Sequence, residues 1–170
     1  MVKSGDIIGR PVVVREGGLR VGRVRDLVVD SSGNQVMAFI LVEGLFKSTK
    51  VAPWAELATI GPDVLILNKP GSVLNVRKAQ DIKLAMESGG NIKGLKLQTT
   101  SGKQLGKMED FHFDEQTGRI VGYELSGGKI ADTFGGRAFL PMPVSIELGK
   151  DVAFIAPDVE SAITKLNKLN

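Results

Sequence analysis

The sequence predicts a mainly β chain: two tandem small antiparallel β-barrels, joined by a linker helix and closed by a carboxy-terminal helix. Three observations carry that expectation. The stretch from Leu19 to Asp30 returns as Lys103 to Asp114, with Gly22 recurring as Gly106 and Asp26 as Asp110, 84 residues on. Short runs rich in Val, Ile and Leu are separated by glycine turns, the signature of small all-β units. Two further stretches change from a strand period to a helical one.

Repetition at this scale means duplicated units rather than a short-period solenoid. The correspondence extends from Asp30 and Gly33 to Asp114 and Gly118, from Pro53 to Pro141, and from Gly61, Asp63 and Val64 to Gly149, Asp151 and Val152. The offset grows from 84 to 88 along the unit, which places short insertions in loops and keeps the strands aligned. Units of roughly 80 residues bury a modest core and lean on a neighbour. A hydrophobic content of 42% with 24% charged residues belongs to the ordinary globular class.

In chain order, extended runs are expected at Pro11 to Arg15, Arg20 to Asp30, Gln35 to Glu43, Lys50 to Ala52 and Asp63 to Asn68. Glu16-Gly17-Gly18 and Asp30-Ser31-Ser32-Gly33-Asn34 supply the turns between them. The second unit repeats the scheme, with Gly118 closing the turn after Asp114. Arg77 to Ser88 sets Ala79, Ile82, Ala85 and Met86 on one helical face, and Gly89-Gly90 stops it. Pro157 to Leu169 sets Val159, Ala162, Ile163, Leu166 and Leu169 at helical spacing, with Asp158 and Glu160 in the first turn and Lys165 and Lys168 in the last. The resulting division is a first barrel over 1–76, a helical linker over 77–90, a second barrel over 91–156 and a helix over 157–170.

The order of these motifs resembles a PRC-barrel domain, twice over. In the first unit the resemblance rests on Gly22-Arg23-Val24-Arg25-Asp26-Leu27-Val28-Val29-Asp30, the glycine turn, the apolar strand, Pro53-Trp54 and the strand at 61–67. In the second, Leu125-Ser126-Gly127-Gly128, Asp132, Gly135-Gly136-Arg137 and Leu140-Pro141 fit the family's loop pattern. The family includes the cytoplasmic domain of the photosynthetic reaction-centre H subunit and the carboxy-terminal domain of the bacterial ribosome maturation factor. The resemblance implies small barrels that dock onto other proteins, with no shared catalytic site.

The chain has no cysteine, which removes disulfides, thiolate catalysis and Cys-ligated metal centres together. No apolar stretch reaches the length of a membrane span and no signal core follows Met1, so a cytoplasmic location is expected. A net charge of +3 with interspersed acids, and only 5% aromatic residues, argues against a nucleic-acid stripe with stacking rings. Asp110, His112 and Asp114 alternate along a strand and could hold a metal, but the first unit keeps the aspartates without the only histidine. Asp30 and Asp114 then read as turn caps. The stretch with Gly127, Gly128, Asp132, Phe134, Gly135, Gly136 and Arg137 reads as a flexible loop whose backbone N–H groups could cradle an anion. It does not fit a P-loop. No Ser-His-Asp set or nucleophile elbow is present, so neither an enzyme activity, a metal nor a cofactor is expected.

One strand differs between the copies. Val36 to Val42 is seven apolar residues in a row, whereas Val121-Gly122-Tyr123-Glu124-Leu125-Ser126 alternates. With period two, Val36, Ala38 and Ile40 match Val121, Tyr123 and Leu125 inside, which leaves Met37, Phe39 and Leu41 outside, opposite Gly122, Glu124 and Ser126. Each such side chain gains about 1.5–3 kcal/mol on burial, so something must cover them. Met37, Phe39 and Leu41 are therefore a candidate interaction face, buried between the barrels or across a homodimer, with Glu124 and Ser126 exposed. The function expected is non-catalytic protein–protein interaction, as an adaptor for another protein, itself, or a membrane-associated or ribosomal assembly. An RNA- or ribosome-associated role is the alternative.

Overall fold

Period-two apolar patterning and glycine turns fold each half into one sheet, in the same order twice. In the computed structural model the described residues are 1–45, 48–142 and 144–166. The chain runs β1 (Val2–Lys3), α1 (Ser4–Ile7), β2 (Pro11–Val14), β3 (Leu19–Val29), β4 (Val36–Val42), β5 (Lys50–Pro53), β6 (Leu57–Ile60), β7 (Leu65–Leu67), β8 (Leu74–Asn75) and α2 (Gln80–Ala85). It continues as β9 (Lys96–Thr99), β10 (Gln104–Phe113), β11 (Ile120–Ser126), α3 (Gly128–Phe134), β12 (Arg137–Pro141), β13 (Ile146–Leu148), β14 (Val152–Ile155) and β15 (Thr164–Lys165).

The first sheet has the order β6-β7-β2-β3-β4-β5-β8, and the second repeats it as β13-β14-β9-β10-β11-β12-β15. Most neighbours are antiparallel, as expected, but β2 with β7 and β9 with β14 are parallel, so each sheet is mixed. The register confirms the duplication. Gly22 lies opposite Val12 as Gly106 lies opposite Leu97, and Asp26 opposite Ile40 as Asp110 opposite Glu124.

The repeated Gly and Asp have a structural cause. A Cβ on Gly22 would stand 2.7 Å from the Val42 carbonyl oxygen, and one on Gly106 would collide with the Ser126 carbonyl. Three residues later each long strand carries a bulge, at Arg25 and Glu109, which takes a backbone N–H out of the ladder. The Asp that follows accepts its own next amide, Leu27 N–H and Phe111 N–H, each at 2.8 Å. The turn aspartates act as the sequence predicts: Asp30 accepts from the amides of Asn34 and Gln35, and Asp114 from those of Gln116 and Thr117.

The units interlock. At the hairpin tips, Val36 N–H donates to Gly118 O and Ile120 N–H to Asn34 O, both at 2.9 Å, a reciprocal pair. Tyr123 Oη donates to Gly33 O at 2.7 Å. β1, placed by sequence in the first barrel, pairs with β10 of the second sheet. The main hydrophobic cluster draws on both units, and an aromatic chain crosses it: Phe39 stacks on Trp54 with centroids 5.8 Å apart, and Trp54 meets the edge of Phe113 at 6.1 Å.

The linker is helical as expected: a 3₁₀ turn over Val76–Lys78, α2, and a π-helical turn over Met86–Gly90. Its apolar side, Ala79, Ile82 and Ala85, packs on Val28, Ala38, Ile40 and Val51 of the first sheet. The expected carboxy-terminal helix over 157–170 is corrected. Pro157–Ala162 is a 3₁₀ segment and Thr164–Lys165 is a strand on β12, equivalent to β8 on β5; residues 167–170 lie outside the described ones. Ile163, at 6% exposure, enters the core, and pairing to an open sheet edge overrides the helical spacing. No helix among the described residues is long and apolar enough to cross a membrane.

Candidate protein-docking site

Met37, Phe39 and Leu41 are not a free face. Phe39 is fully buried and Leu41 is 5% exposed, both in the cluster that the units share, while Met37 lies half-buried beneath the linker helix. The cause is a bulge. Val28 faces Ala38 and Val29 faces Val36, so Met37 is the extra residue, and Val121 takes the same place in β11. Beyond the bulge the offset stays at 84: Phe39 matches Tyr123, Ile40 matches Glu124 and Leu41 matches Leu125. Alignment of the strands one residue off turns every side chain to the opposite face. Ala38 and Ile40 therefore face the linker helix, and Phe39 and Leu41 face the core.

The true difference between the copies lies on the outer face. Where the first sheet has Val28, Ala38, Ile40 and Val51 under α2, the second has His112, Gly122, Glu124 and Phe139. Glu124, expected to be exposed, is 2% exposed, and Ser126 is half-buried. Glu124 accepts from His112 Nε2 at 2.8 Å, Lys3 Nζ at 3.2 Å and Arg137 Nη1 at 3.0 Å, and the Phe139 ring stands edge-on to His112. Burial pushes the Glu124 carboxyl up, but the hydrogen bonds from His112 and Lys3 and their charges outweigh it and hold it below the usual carboxylate range. A satisfied ionic cluster thus takes the place of a helix-covered apolar patch. His112 is a strand residue tied to Glu124; Asp114 sits in the turn and Asp110 takes Ser4 Oγ–H and Gly5 N–H, so the three side chains serve different partners. Among the described residues no group of three or more His, Asp or Glu is placed to hold a metal ion.

Asp26 and Asp110 share a narrow groove with Lys93 and Ser4. Desolvation raises the Asp26 carboxyl above the usual range, with Asp110 adding to the rise, against the Leu27 amide and the charges of Arg25 and Lys93. Asp110 instead meets Lys3 Nζ at 3.7 Å. A raised folded-state carboxyl favours folding at low pH, and that contribution is lost as pH rises through the folded value. Asp26→Asn is expected to gain a few tenths to about 1 kcal/mol at pH 7, a gain that closes below pH 4, whereas Asp110→Asn loses about 1 kcal/mol or more at pH 7. Urea unfolding of both variants at the two pH values checks this.

The glycine-flanked stretch is corrected from a flexible loop to a helix. Gly127 and Gly128 enter α3 with positive φ, and Gly135 leaves it in the left-handed region, donating its N–H to Ala131 O at 3.0 Å. Ile130, 2% exposed, and the half-buried Phe134 hold α3 on the sheet, while Lys129 and Asp132 face outward. α3 occupies the insertion that lifts the offset from 84 to 88. Gly136 and Arg137 follow it, and Arg137 leads into β12 and Glu124.

That insertion builds the site. A cleft of about 600 Å³ lies between α3 and the start of β9 and β10, with Leu97 and Leu105 in its floor and Lys96, Lys107 and Lys129 around it. A second cleft of about 440 Å³ lies on the other side of α3, against Pro157, Glu160 and Ile163. The equivalents of Lys96 and Gln98 in the first unit are Pro11 and Val13. Sequence reasoning found the glycines and Asp132 but missed the lysines: Lys96 stands where the first unit has Pro11, Lys107 where it has Arg23, and Lys129 lies in the insertion. Two stretches, residues 1–74 and 85–161, match the model of the PRC-barrel domain. No curated protein matches the chain.

Proposed function

We propose that this chain, which belongs to the PRC-barrel family, is a non-catalytic docking protein that grips an acidic, extended segment of a partner in the cleft beside α3. The single observation that carries the reading is the inserted helix, which gives one of two equivalent units a cleft rimmed by Lys96, Lys107 and Lys129. Lys96 and Lys129, with Lys107 shared with Glu109 at 3.4 Å, outnumber the one lining carboxylate, Asp132, and suit an acidic partner, and the apolar floor supplies area. The way the chain uses its acids supports a non-catalytic role: Asp26, Asp110, Asp114 and Glu124 all accept hydrogen bonds from their own surroundings.

RNA or ribosome association is the second reading, because the same lysines suit phosphate. The lining of that cleft is aliphatic and polar, without a ring on which a base would stack. Capture from native lysate by the full chain and by the triple variant Lys96→Glu, Lys107→Glu, Lys129→Glu tests both. Docking requires a nuclease-resistant set of proteins that the triple variant loses. A captured set that disappears with nuclease favours RNA, and one that the variant keeps removes the cleft from either role.

A further inference from the structure

We propose that the second cleft beside α3 is an apolar anchor pocket of the same docking site, so that the partner's acidic segment carries a bulky uncharged side chain next to its acids. The inference rests on the docking proposed above and names the sequence which that docking selects. Both clefts flank the one inserted helix, and they share Leu105 and Lys129. Lys129 lies in the first turn of α3, so a single extended chain that passes this turn reaches both clefts.

The two clefts differ in charge. The first is rimmed by lysines and draws acids. The second is walled by Leu105, Ile130, Phe134, Pro157 and Ile163, and its acid, Glu160, is already paired with Lys103 at 2.5 Å. Its one lysine is Lys129, which it shares with the first cleft. A carboxylate that entered this space would exchange water for aliphatic wall, at a cost, whereas a Leu, Met or Phe side chain gains by burial there. Leu105, Ile130 and Ile163 are 1%, 2% and 6% exposed, so the core already holds the wall in place and little ordering is left for binding to do. A second copy that met this face through a two-fold axis would bring two sets of Lys96, Lys107 and Lys129 into one contact, which disfavours that occupant.

The test is fluorescence anisotropy of the full chain with short dye-labelled peptides, each an acidic run in which Leu, Met, Phe, Ser or Asn is scanned through every position. At one position Leu, Met or Phe should bind about tenfold tighter than Ser. Thr133 is exposed and lines the second cleft but not the first, so Thr133→Arg should erase that preference. The Ser peptide should bind this variant at least as well as the parent, because added positive charge does not weaken an acidic ligand. Ser161→Arg, exposed at the same mouth, takes its place if Thr133→Arg does not fold. The triple lysine variant should instead weaken every peptide and keep the ratio between them. Acidic peptides that bind the triple variant as tightly as the parent overturn the docking reading and this inference with it. Peptides that need the lysines but bind alike with Leu or Ser, or that keep the preference in both arginine variants, overturn this inference alone. So does a dimer of the parent chain that Thr133→Arg dissolves, since a second copy then fills the pocket.

Discussion

Phe39→Glu is expected to abolish cooperative folding rather than to split a complex. Phe39 is fully buried, and its ring stacks on Trp54 at 5.8 Å, which in turn meets Phe113 of the other unit. Removal of such a ring costs about 3–5 kcal/mol, and a carboxylate in its place adds a desolvation cost of several kcal/mol more. The total is comparable to the whole stability of a domain. Met37→Glu is the control, because Met37 is the half-buried extra residue of the bulge under α2 and should cost only about 1–2 kcal/mol. Circular dichroism melts with light scattering read both. A folded Phe39→Glu protein melting within a few degrees of the parent would show that the units do not share this core.

Glu124→Gln is expected to destabilise the chain by about 2–3 kcal/mol. Loss of one partner of a buried ion pair costs about 3–5 kcal/mol, and the figure is reduced here because Lys3 and Arg137, at 30% and 53% exposure, regain water. His112, 11% exposed, does not. In a chain of this size that corresponds to a fall in Tm of roughly 5–10 °C. The effect depends on pH with a definite sign. The folded-state carboxyl lies below its ordinary value, so its contribution is full above that value and is lost as pH falls through the folded one. Parent and variant should differ most near neutral pH and converge on acidification below about pH 4. Equal stability at pH 7 would mean that the cluster is ornamental.

The repeat made the fold legible, since Gly22, Asp26, Asp30 and their copies are needed for local backbone reasons that any copy must satisfy. The linker helix was legible because its apolar face is covered within the chain. The inner and outer faces of β4 were not, because a bulge at Met37 leaves no mark in a run of seven apolar residues. Only the register with β3 shows that Glu124 stands where Ile40 does, and a buried carboxylate is recognisable only once Lys3, His112 and Arg137 have converged from distant positions. α3 was hidden by its own caps: four glycines around seven residues read as a loop, although Ile130 and Phe134 sit one helical turn apart. The helical spacing after Pro157 was real but lost to strand pairing with β12.

The cleft proposed for docking lies beside α3, in the longest insertion between the copies. Hydrogen exchange on the full chain, free and bound to a partner recovered by capture, tests that placement most directly. The expected result is new protection in 96–98, 104–107 and 127–133, the segments that bound the cleft beside α3. Protection elsewhere, with those segments exchanging as in the free chain, would contradict docking at α3.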